Sequence, residues 1–340
     1  MRSDLVPWLV CPGCRGDLRW DVQRCSDAHV VDAEANCRQC DATYQVRDGV
    51  AALLPILAGE TPASDLWEQT EGQLTAFLRS DPDVRARLMD APIDLLGPAD
   101  RFLRAMALEE QGRFDEATAA IELAEPGLYT APVRDLSKRM LDEVAVRTRD
   151  LAGHGPVVDL ASGRGALLTR IVETGAMVVG TDASIRVLRR DQRWLERRGL
   201  ADRVSMVAAD MRHIPFRDAS IGVLTTNLGL DNLSPPEALD DVLSECRRVT
   251  NGTFLAICQA EVTDGGLRWP TLTGEASKQH PILARLNRSG WRRAQIVASG
   301  RVVAEPTPSS TILEGVRIDA FPVAPTTVEW SLAAATRGER

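Results

Sequence analysis

An acid at the end of an apolar run, followed by a glycine-rich turn, is the feature of this chain that most clearly predicts chemistry. The run Val157–Asp159 ends on the acid, and the turn Leu-Ala-Ser-Gly-Arg-Gly165 follows it. Two further strand-like runs end on acids at Asp182 and Asp210. Glycine at positions 163 and 165 lets the backbone approach a ligand closely and adopt positive φ. This series predicts a site for a nucleoside-bearing cofactor.

Strand and helix patterns alternate from about residue 140 onward, and this alternation positions the acids. Apolar runs predict strands near 156–160, 177–181, 203–208, 220–226 and 252–258. Helical periodicity predicts helices near 165–175, 185–198 and 235–249. The alternation predicts an α/β fold with a parallel sheet, in which ligands bind beyond the carboxyl ends of the strands.

The turn at 159–165 resembles motif I of the class I S-adenosylmethionine-dependent methyltransferases. It lacks the full Gly-x-Gly-x-x-Gly pattern of dinucleotide sites, and Ala161 stands where a glycine is common. The resemblance spans about 140–330 and includes a C-terminal antiparallel hairpin formed by the runs 294–304 and 312–324. It implies a Rossmann-like class I methyltransferase sheet that is mostly parallel and binds S-adenosylmethionine.

The resemblance also implies a cofactor contact for each strand-ending acid. The turn would cradle the amino-acid end of the cofactor, and Asp182 would accept hydrogen bonds from both ribose hydroxyls, which suits an acceptor-only carboxylate. Asp210 would receive the adenine amino group, with Met211 packed on the ring. The implied cofactor contacts are Asp159, Ala161, Ser162, Gly163, Gly165, Asp182, Ala183, Asp210, Met211 and Asn227. For any one acid the alternative is a helix cap or a turn residue.

The acceptor side of the site is much less defined by the sequence. Asn227 ends the fourth predicted strand. The resemblance implies that this position faces the methyl group, so Asn227 is the candidate for positioning the substrate. Methyl transfer requires alignment and sometimes a general base. Asp231 and His213 are candidates for that base, with a structural role as the alternative for each. A buried thiol is the predicted role of Cys258.

Four cysteines near the N-terminus predict a metal site. Cys11-Pro-Gly-Cys14 and Cys37-Arg-Gln-Cys40 are two Cys-x-x-Cys pairs separated by 22 residues. Four thiolates in this arrangement suit a closed, structural zinc site, and redox dithiols or free thiols are the alternative. Cys25 and His29 lie between the pairs, and the sequence leaves open whether either replaces one of the four ligands.

The residues around these cysteines resemble a second family. The pairs, followed by Thr43-Tyr-Gln-Val-Arg-Asp-Gly-Val50 and a Leu-Leu-Pro, are similar to zinc-ribbon activator proteins that partner tRNA and release-factor methyltransferases. Related ribbons are fused to ribosomal RNA guanine-N1 methyltransferases. The resemblance covers about residues 5–57 and implies a substrate-side or partner-side module joined to a methyltransferase.

The segment between the two modules is predicted to be helical. Apolar residues at helical spacing predict a helical hairpin over Ala99–Ala124, with a turn at Gly112. A lid over the site and a packed spacer are both compatible with this pattern. The predicted organisation is a zinc ribbon at 1–58, a helical cap or spacer at 59–150, the S-adenosylmethionine-binding domain at 151–330 and a tail at 331–340.

Composition limits the classes of partner. The chain of 340 residues has a net charge of −8 and 4% aromatic residues. Residues 1–60 hold 6 basic and 9 acidic side chains, residues 61–150 hold 11 and 18, and residues 151–340 hold 23 and 21. An acidic front half and few aromatic platforms disfavour nucleic acid as a partner. The absence of an export signal and of a membrane-spanning run leads us to expect a cytoplasmic protein.

These observations leave three hypotheses for function. The first is a methyltransferase that acts on an N or O atom of a small-molecule or peptide acceptor. The second is an rRNA or tRNA base methyltransferase of the ribbon-fused guanine-N1 type, which the charge balance disfavours. The third is a non-catalytic cofactor-binding scaffold protein. The sequence does not define the oligomeric state.

Overall fold

One mixed sheet of twelve strands organises the part of the chain that is described. The computed structural model describes residues 1–55, 72–151, 153, 155–233, 238–270, 276–319 and 321–338. The strands are β1 (Leu18–Ser26), β2 (His29–Cys37), β3 (Thr43–Arg47), β4 (Val50–Ala52), β5 (Val157–Leu160), β6 (Val178–Asp182), β7 (Val204–Ala208), β8 (Ile221–Asn227), β9 (Thr250–Thr263), β10 (Gly266–Arg268), β11 (Arg292–Ala304) and β12 (Thr326–Thr336).

Helices cover both faces of this sheet. The helices between residues 73 and 128 form a separate group, which follows the ribbon in the chain. The α-helices are α1 (Gln73–Ser80), α2 (Pro82–Arg85), α3 (Pro98–Glu110), α4 (Phe114–Leu128), α5 (Ala131–Leu151), α6 (Leu168–Ile171), α7 (Ile185–Arg197), α8 (Leu239–Val249) and α9 (Pro281–Arg288). Short 3₁₀ or π segments lie at Ser3–Trp8, Ala86–Asp90, Ile93–Leu95, Val172–Thr174 and Ala201–Arg203.

The sheet order is that of a Rossmann-like methyltransferase. Strands β7, β6, β5, β8 and β9 are parallel neighbours in that order, and β12 and β11 continue the sheet as an antiparallel hairpin. Every residue of β5 and of β7 is buried, as expected for parallel strands covered by helices on both faces. The predicted α/β sheet with a C-terminal hairpin is therefore confirmed.

The second strand of that hairpin lies later in the chain than predicted. Residues 312–324 form turns and one isolated bridge within their described part, whereas β12 occupies Thr326–Thr336 and pairs with both β9 and β11. The run 312–324 is apolar because Ile312, Leu313 and Ile318 pack against the helical hairpin. The strand also extends into the residues 331–340 that we predicted to be a tail.

The N-terminal ribbon continues the same sheet. Strands β1 to β4 form an antiparallel meander, and β4 pairs in parallel with β7, with Val50 opposite Met206 and Ala52 opposite Ala208. Leu53 N–H then donates to the Ala208 carbonyl at 3.0 Å. The ribbon is thus joined edge to edge with the half of the sheet that carries the predicted cofactor residues. The predicted boundary at residue 58 lies outside the described residues.

The segment predicted to be helical contains an antiparallel helix pair. α3 and α4 pack on each other through small and aliphatic residues, and Gly112 between them has φ +72°. α5 then crosses the back of the sheet and packs against β11 and β12. In the chain, the α3–α4 pair precedes strands β5 to β9. Helix α7, which follows β6, contacts both α3 and α4.

Candidate functional site

The predicted cofactor residues lie at one edge of the sheet. Asp159, Asp182 and Asn227 lie at the carboxyl ends of β5, β6 and β8, and Asp210 follows β7 by two residues. Because β7, β6, β5 and β8 are neighbours and parallel, these ends share the edge at which such sheets bind ligands. The structure therefore brings together the residues that the sequence singled out.

The glycine-rich turn has the backbone conformation of a tight ligand cradle. Ala161, Gly163 and Gly165 all have positive φ, of 51°, 55° and 68°. A side chain at Gly165 would also approach the Asp191 carboxylate at 3.4 Å. The turn is anchored to β6, because Ser162 N–H donates to the Thr181 carbonyl at 2.8 Å and Thr181 N–H donates back to Ser162 Oγ at 3.1 Å.

Asp159 lies beneath the turn. It is 1% exposed, and its Oδ1 accepts a hydrogen bond from the Thr225 hydroxyl at 2.9 Å. Burial raises the pKa of Asp159 to about 7. Its carbonyl accepts a hydrogen bond from the Ser162 hydroxyl of the turn at 3.1 Å, so Asp159 ties the turn to β8, the strand that ends at Asn227.

Asp182 lies between the turn and the helix that follows it. Its Oδ2 accepts from Gly163 N–H at 3.2 Å, and its Oδ1 accepts from Ser184 N–H at 2.9 Å. Each carboxylate oxygen retains a further lone pair, and the side chain is partly exposed. Ala183 is exposed beside it. This geometry fits a carboxylate that is held rigidly and offers two acceptor positions to a diol.

Asp210 carries a partner that the sequence did not reveal. Arg212 contacts both carboxylate oxygens, with distances of 2.6 and 3.0 Å. Burial acts to raise the pKa of Asp210, but the hydrogen bonds from Arg212 outweigh it and hold the pKa below its ordinary value. Met211 is half-buried against the core, and His213 N–H donates to the Asp210 carbonyl at 2.9 Å. Asp210 is therefore an ionised acceptor at the edge where the resemblance places adenine.

The end of β8 approaches the glycine-rich turn closely. A side chain at Gly229 would lie 2.9 Å from Cβ of Ala161 and 2.4 Å from Oγ1 of Thr226, so a glycine is required there. The Oδ1 atom of Asn227 is buried and has no hydrogen-bond partner among the described residues. Buried polar atoms are rarely left in that state, so this amide is available to a ligand.

Arg190 supports the turn from helix α7, and the sequence did not identify it. Its side chain is only 9% exposed and donates to the Gly163 carbonyl at 2.6 Å, to Glu109 at 2.8 Å and to Asp191 at 2.9 Å. In the sequence, five arginines recur at helical spacing in the segment 185–198, and this pattern alone favours an ordinary solvated helix face; they are Arg186, Arg189, Arg190, Arg193 and Arg197. For Arg190 that interpretation is wrong, because the guanidinium group connects helix α3 to the turn.

Two other arginines of α7 pair with acids of the two preceding segments. Arg189 contacts Asp48 of the ribbon at 2.8 Å, and Arg197 contacts Asp115 of α4 at 3.1 Å. The acidic excess of residues 61–150 therefore faces a basic helix of the cofactor domain.

We expect Glu109→Gln to lower the free energy of unfolding by about 1 kcal/mol, because a charge-assisted hydrogen bond in a mostly buried network becomes a neutral one. Glu116→Gln is the matched control, since Glu116 forms an exposed ion pair with Arg113, and it should cause no measurable change. Urea denaturation of both variants measures the difference. Equal stability of the two variants would show that the network does not support the turn.

The four predicted metal ligands form one cluster. The Sγ atoms of Cys11, Cys14, Cys37 and Cys40 all lie within 4.8 Å of one another, with 3.3 Å between Cys14 and Cys37 and 3.7 Å between Cys11 and Cys40. Tetrahedral zinc with Zn–S bonds of about 2.3 Å separates its sulfur ligands by roughly 3.8 Å. The residues present therefore fit a closed structural zinc site.

The two alternative ligands lie at the other end of the ribbon hairpin. His29 pairs with Ser26 at the turn, whereas Cys37 pairs with Leu18 at the far end of the same ladder. Cys25 is exposed near the turn. Since a strand rises about 3.3 Å per residue, neither side chain reaches the cluster. The four-cysteine set is thus the one that the structure supports.

The first cysteine pair sits beside the loop that carries Asp210. Val10 N–H donates to the Pro215 carbonyl at 3.0 Å, and Arg217 N–H donates to the Trp8 carbonyl at 3.0 Å. We call residues 210–217 the adenine loop, after the role that the resemblance implies. The backbone of the ribbon therefore forms one wall of this loop.

A network of charged side chains also connects the ribbon to the adenine loop. Arg15, next to Cys14, contacts Glu245 at 3.3 Å, and Glu245 in turn accepts a hydrogen bond from Ile214 N–H at 3.0 Å. Glu245 also pairs with Arg248 at 2.6 Å, and both of these side chains are mostly buried. The conformation of the adenine loop is thus defined jointly by the ribbon and by α8.

Asp231, a candidate base, is placed just beyond β8. Its Oδ1 accepts from Gln259 N–H at 3.2 Å, while its Oδ2 is buried without a partner among the described residues. Burial raises the pKa of Asp231 to about 8. The other candidate, His213, lies in the adenine loop and not at this position.

The raised pKa of Asp231 predicts a pH-dependent stability difference. Between about pH 4 and pH 8 the unfolded chain loses this proton while the folded chain keeps it, so the folded wild type becomes less stable as pH rises. Asp231→Asn cannot titrate. Its stability relative to wild type should rise across this window by more than about 1 kcal/mol, the equivalent of roughly one pKa unit. Urea denaturation at pH 5 and pH 8 tests this, and a constant difference would contradict it.

Comparisons with known proteins identify a methyltransferase domain in this chain. Residues 157–252 match the family model described as a methyltransferase domain. The demethylmenaquinone methyltransferase of Thermobifida fusca is 39% identical over 106 residues, which are 30% of this chain and 42% of that protein. The protein of the same name from Lactiplantibacillus plantarum is 30% identical over 140 residues, or 40% of this chain and 58% of that protein.

Solved structures with a similar arrangement are more distant. The YcgJ protein of Bacillus subtilis aligns with a TM-score of 0.45 at 14% identity and covers 59% of this chain and all of that chain. The geranyl diphosphate C-methyltransferase of Streptomyces coelicolor aligns with a TM-score of 0.40 at 17% identity, covering 58% of this chain and 75% of that one.

The family match confirms the predicted class I methyltransferase domain, and its sheet order and strand-end acids fit S-adenosylmethionine as the cofactor. The match is confined to this domain, and the chain spans about half the length of the curated relatives it matches. No described helix has the length and apolar character that crossing a membrane requires.

Proposed function

We propose that this protein is an S-adenosylmethionine-dependent methyltransferase with a small-molecule acceptor. The observation that carries the proposal is the convergence of the positive-φ turn with Asp182, Asp210 and Asn227 at one sheet edge. S-adenosylmethionine, when bound, supplies an activated methyl group on a sulfonium centre. The curated relatives named above are demethylmenaquinone methyltransferases, which supports a small organic acceptor.

The chain's own residues have distinct roles in this proposal. The turn 161–165 holds the amino-acid end of the cofactor, and Asp182 orients the ribose through its two free acceptor positions. Asp210 accepts from the adenine amino group, and Met211 packs beside the ring. Asn227 presents its unpartnered amide oxygen at the end of β8, where it positions the acceptor. Alignment of this kind supplies most of what an in-line transfer requires.

The ribbon and the helix pair are proposed to shape the site and not to perform chemistry. A closed four-sulfur zinc site has no open coordination position, so its contribution is to the fold. The proposed organisation is the ribbon, the helical segment and the methyltransferase domain, with β12 belonging to the last of these.

The experiment that tests this function is transfer of a labelled methyl group from S-adenosylmethionine. We expect label to enter a small-molecule fraction prepared from cells that lack the protein, with reduced demethylmenaquinone as one defined acceptor. Label in ribosomal or transfer RNA alone would establish the RNA alternative instead. Tight cofactor binding with no labelled product in either fraction would favour the scaffold alternative.

A further inference from the structure

Burial divides the four cysteines of the zinc site into two pairs. Cys11 and Cys37 are 0% and 3% exposed, whereas Cys14 and Cys40 are exposed. A thiol that coordinates a metal is deprotonated, so each sulfur carries negative charge. Water can donate hydrogen bonds to the two exposed sulfurs, but a buried charge without donors is costly. Cys11 and Cys37 therefore need hydrogen-bond donors from the protein itself.

The two buried sulfurs obtain different kinds of donor. For Cys37 the donor is the backbone, because Gln39 N–H donates to its Sγ at 3.4 Å. For Cys11 the structure places a side chain in that position. The hydroxyl oxygen of Tyr44 lies 3.2 Å from Sγ of Cys11. A residue outside the two Cys-x-x-Cys pairs thus contacts one of the metal ligands directly.

Metal coordination determines the direction of the hydrogen bond between Tyr44 and Cys11. A phenol and a thiol can each donate to the other, but a metal-bound thiolate has no proton and only accepts. The Tyr44 hydroxyl is then the donor. Tyr44 is 1% exposed, and a buried tyrosine hydroxyl usually has a partner. The bond therefore gives the thiolate its donor and the hydroxyl its acceptor.

The position of Tyr44 is set by the sheet. Tyr44 lies on β3 opposite Ala35 of β2, and its ring is part of the buried core. Cys11 lies in the segment that contacts the adenine loop, since the preceding residue, Val10, donates to the Pro215 carbonyl. The hydrogen bond from Tyr44 thus joins the first cysteine pair to a strand of the sheet.

We propose that the Tyr44 hydroxyl donates a hydrogen bond to the zinc-bound thiolate of Cys11 and fixes the position and charge of that ligand. Tyr44 is a positioning residue of the zinc site, because it acts on the metal through Cys11. The donor withdraws electron density from the sulfur and lowers the cost of burying its charge. Outer-shell partners of this kind typically contribute roughly ten- to a hundred-fold to metal affinity. This role does not depend on which acceptor the protein methylates.

The test compares the two tyrosines of the chain. Tyr44→Phe removes the hydroxyl and keeps the ring. Tyr129→Phe is the matched control, because the Tyr129 hydroxyl donates to Asp319 at 2.8 Å, away from the ribbon. The zinc affinity of the full chain is measured by competition with a chromophoric chelator. We expect Tyr44→Phe to lose at least about ten-fold in affinity, corresponding to roughly 1.4 kcal/mol, and Tyr129→Phe to match wild type.

A spectroscopic measurement on the same proteins separates hydrogen bonding from packing. Cobalt(II) in place of zinc gives a sulfur-to-cobalt charge-transfer band, and its energy falls when a thiolate loses a hydrogen bond and becomes a better electron donor. We expect this band at longer wavelength in Tyr44→Phe than in wild type or Tyr129→Phe. The d–d bands of tetrahedral cobalt with four sulfur ligands should be retained in all three proteins.

Several outcomes would overturn the inference. An unchanged charge-transfer band in Tyr44→Phe would do so even if the affinity falls, because lost packing would then explain the weaker binding. Zinc affinity within about three-fold of wild type, or an equal loss in Tyr129→Phe, would also overturn it. So would a Tyr44→Phe protein that binds no cobalt at saturation, since loss of one hydrogen bond does not abolish a four-sulfur site. If wild type itself lacks four-sulfur cobalt binding, the zinc site fails and the inference fails with it.

Discussion

Loss of the metal from the four-cysteine cluster should lower the affinity for S-adenosylmethionine by at least about ten-fold, although the cluster contributes no cofactor contact. A closed zinc site contributes folding free energy outright, so without the metal the ribbon loses its cross-link. Trp8 and Val10, whose backbone contacts Arg217 and Pro215, directly precede the zinc ligand Cys11 in the chain. The adenine loop then loses one wall, and the orientation of Asp210 is no longer held.

Substitution provides the cleanest form of this experiment. Cys37→Ser removes one of the two buried ligands, whereas Cys25→Ser removes an exposed cysteine at the opposite end of the hairpin. We expect the first variant to bind well under one equivalent of zinc and to bind the cofactor weakly. The second should match wild type in both measurements. Zinc content by mass spectrometry and cofactor affinity by calorimetry are measured on the same preparations. A zinc-free Cys37→Ser protein with wild-type affinity would contradict the coupling.

Asp182→Ala should reduce the affinity for S-adenosylmethionine by about a hundred-fold or more, equivalent to roughly 2.7 kcal/mol. The substitution removes both acceptor positions for the ribose. It also removes the acceptor for Gly163 N–H and Ser184 N–H, so the turn loses its anchor to the start of α7. Loss of the ribose acceptors and loss of the turn's anchor both lower the cofactor affinity. We therefore expect Asp182→Ala to have the largest effect of any single substitution in the site.

The interpretation of that variant depends on its fold being retained. Asp264→Ala is the control for removal of an acid, because Asp264 is exposed in the turn between β9 and β10. Both variants should unfold cooperatively in urea, and both should retain one equivalent of zinc. Asp182→Asn adds a further distinction, since an amide keeps one acceptor but presents a donor to the second hydroxyl. Its affinity should lie between those of wild type and Asp182→Ala.

The donor half of the site was predictable because its signals are local. The turn 159–165 and the acids at 182 and 210 each stand at a fixed position relative to one apolar run, so short stretches of sequence define them. The cysteine pairs are equally local, and they form one cluster in the structure. Such local patterns predict the structure well, because few backbone conformations of a short stretch bury its apolar residues.

The contacts that sequence did not predict are those between distant segments. Arg190 looked like one of several surface arginines, and only its packing against Glu109 and Gly163 reveals a buried role. The pairing of β4 with β7 likewise joins residues 150 or more positions apart, and nothing local indicates it. The run 312–324 was misassigned because apolar content alone does not distinguish a strand from a loop that packs on a helix pair.

The surroundings of Asp231 follow the same rule. Asp231 was a candidate base, but Trp269 and His280 carry no pattern that connects them with it in sequence. Their association arises because β9, β10 and the start of α9 converge beside the end of β8. Residues that lie almost 50 positions apart in the chain are recognised as neighbours only once the fold brings them together.

The measurement that tests the central claim most directly is a calorimetric titration of the zinc-loaded wild-type chain with S-adenosylhomocysteine. The strand-end acids and the positive-φ turn predict one molecule bound per chain, with affinity reduced about a hundred-fold by Asp182→Ala and unchanged by Asp264→Ala. Absence of binding to the folded wild-type protein, or equal affinity in wild type and Asp182→Ala, would contradict the assignment of this sheet edge as the cofactor site.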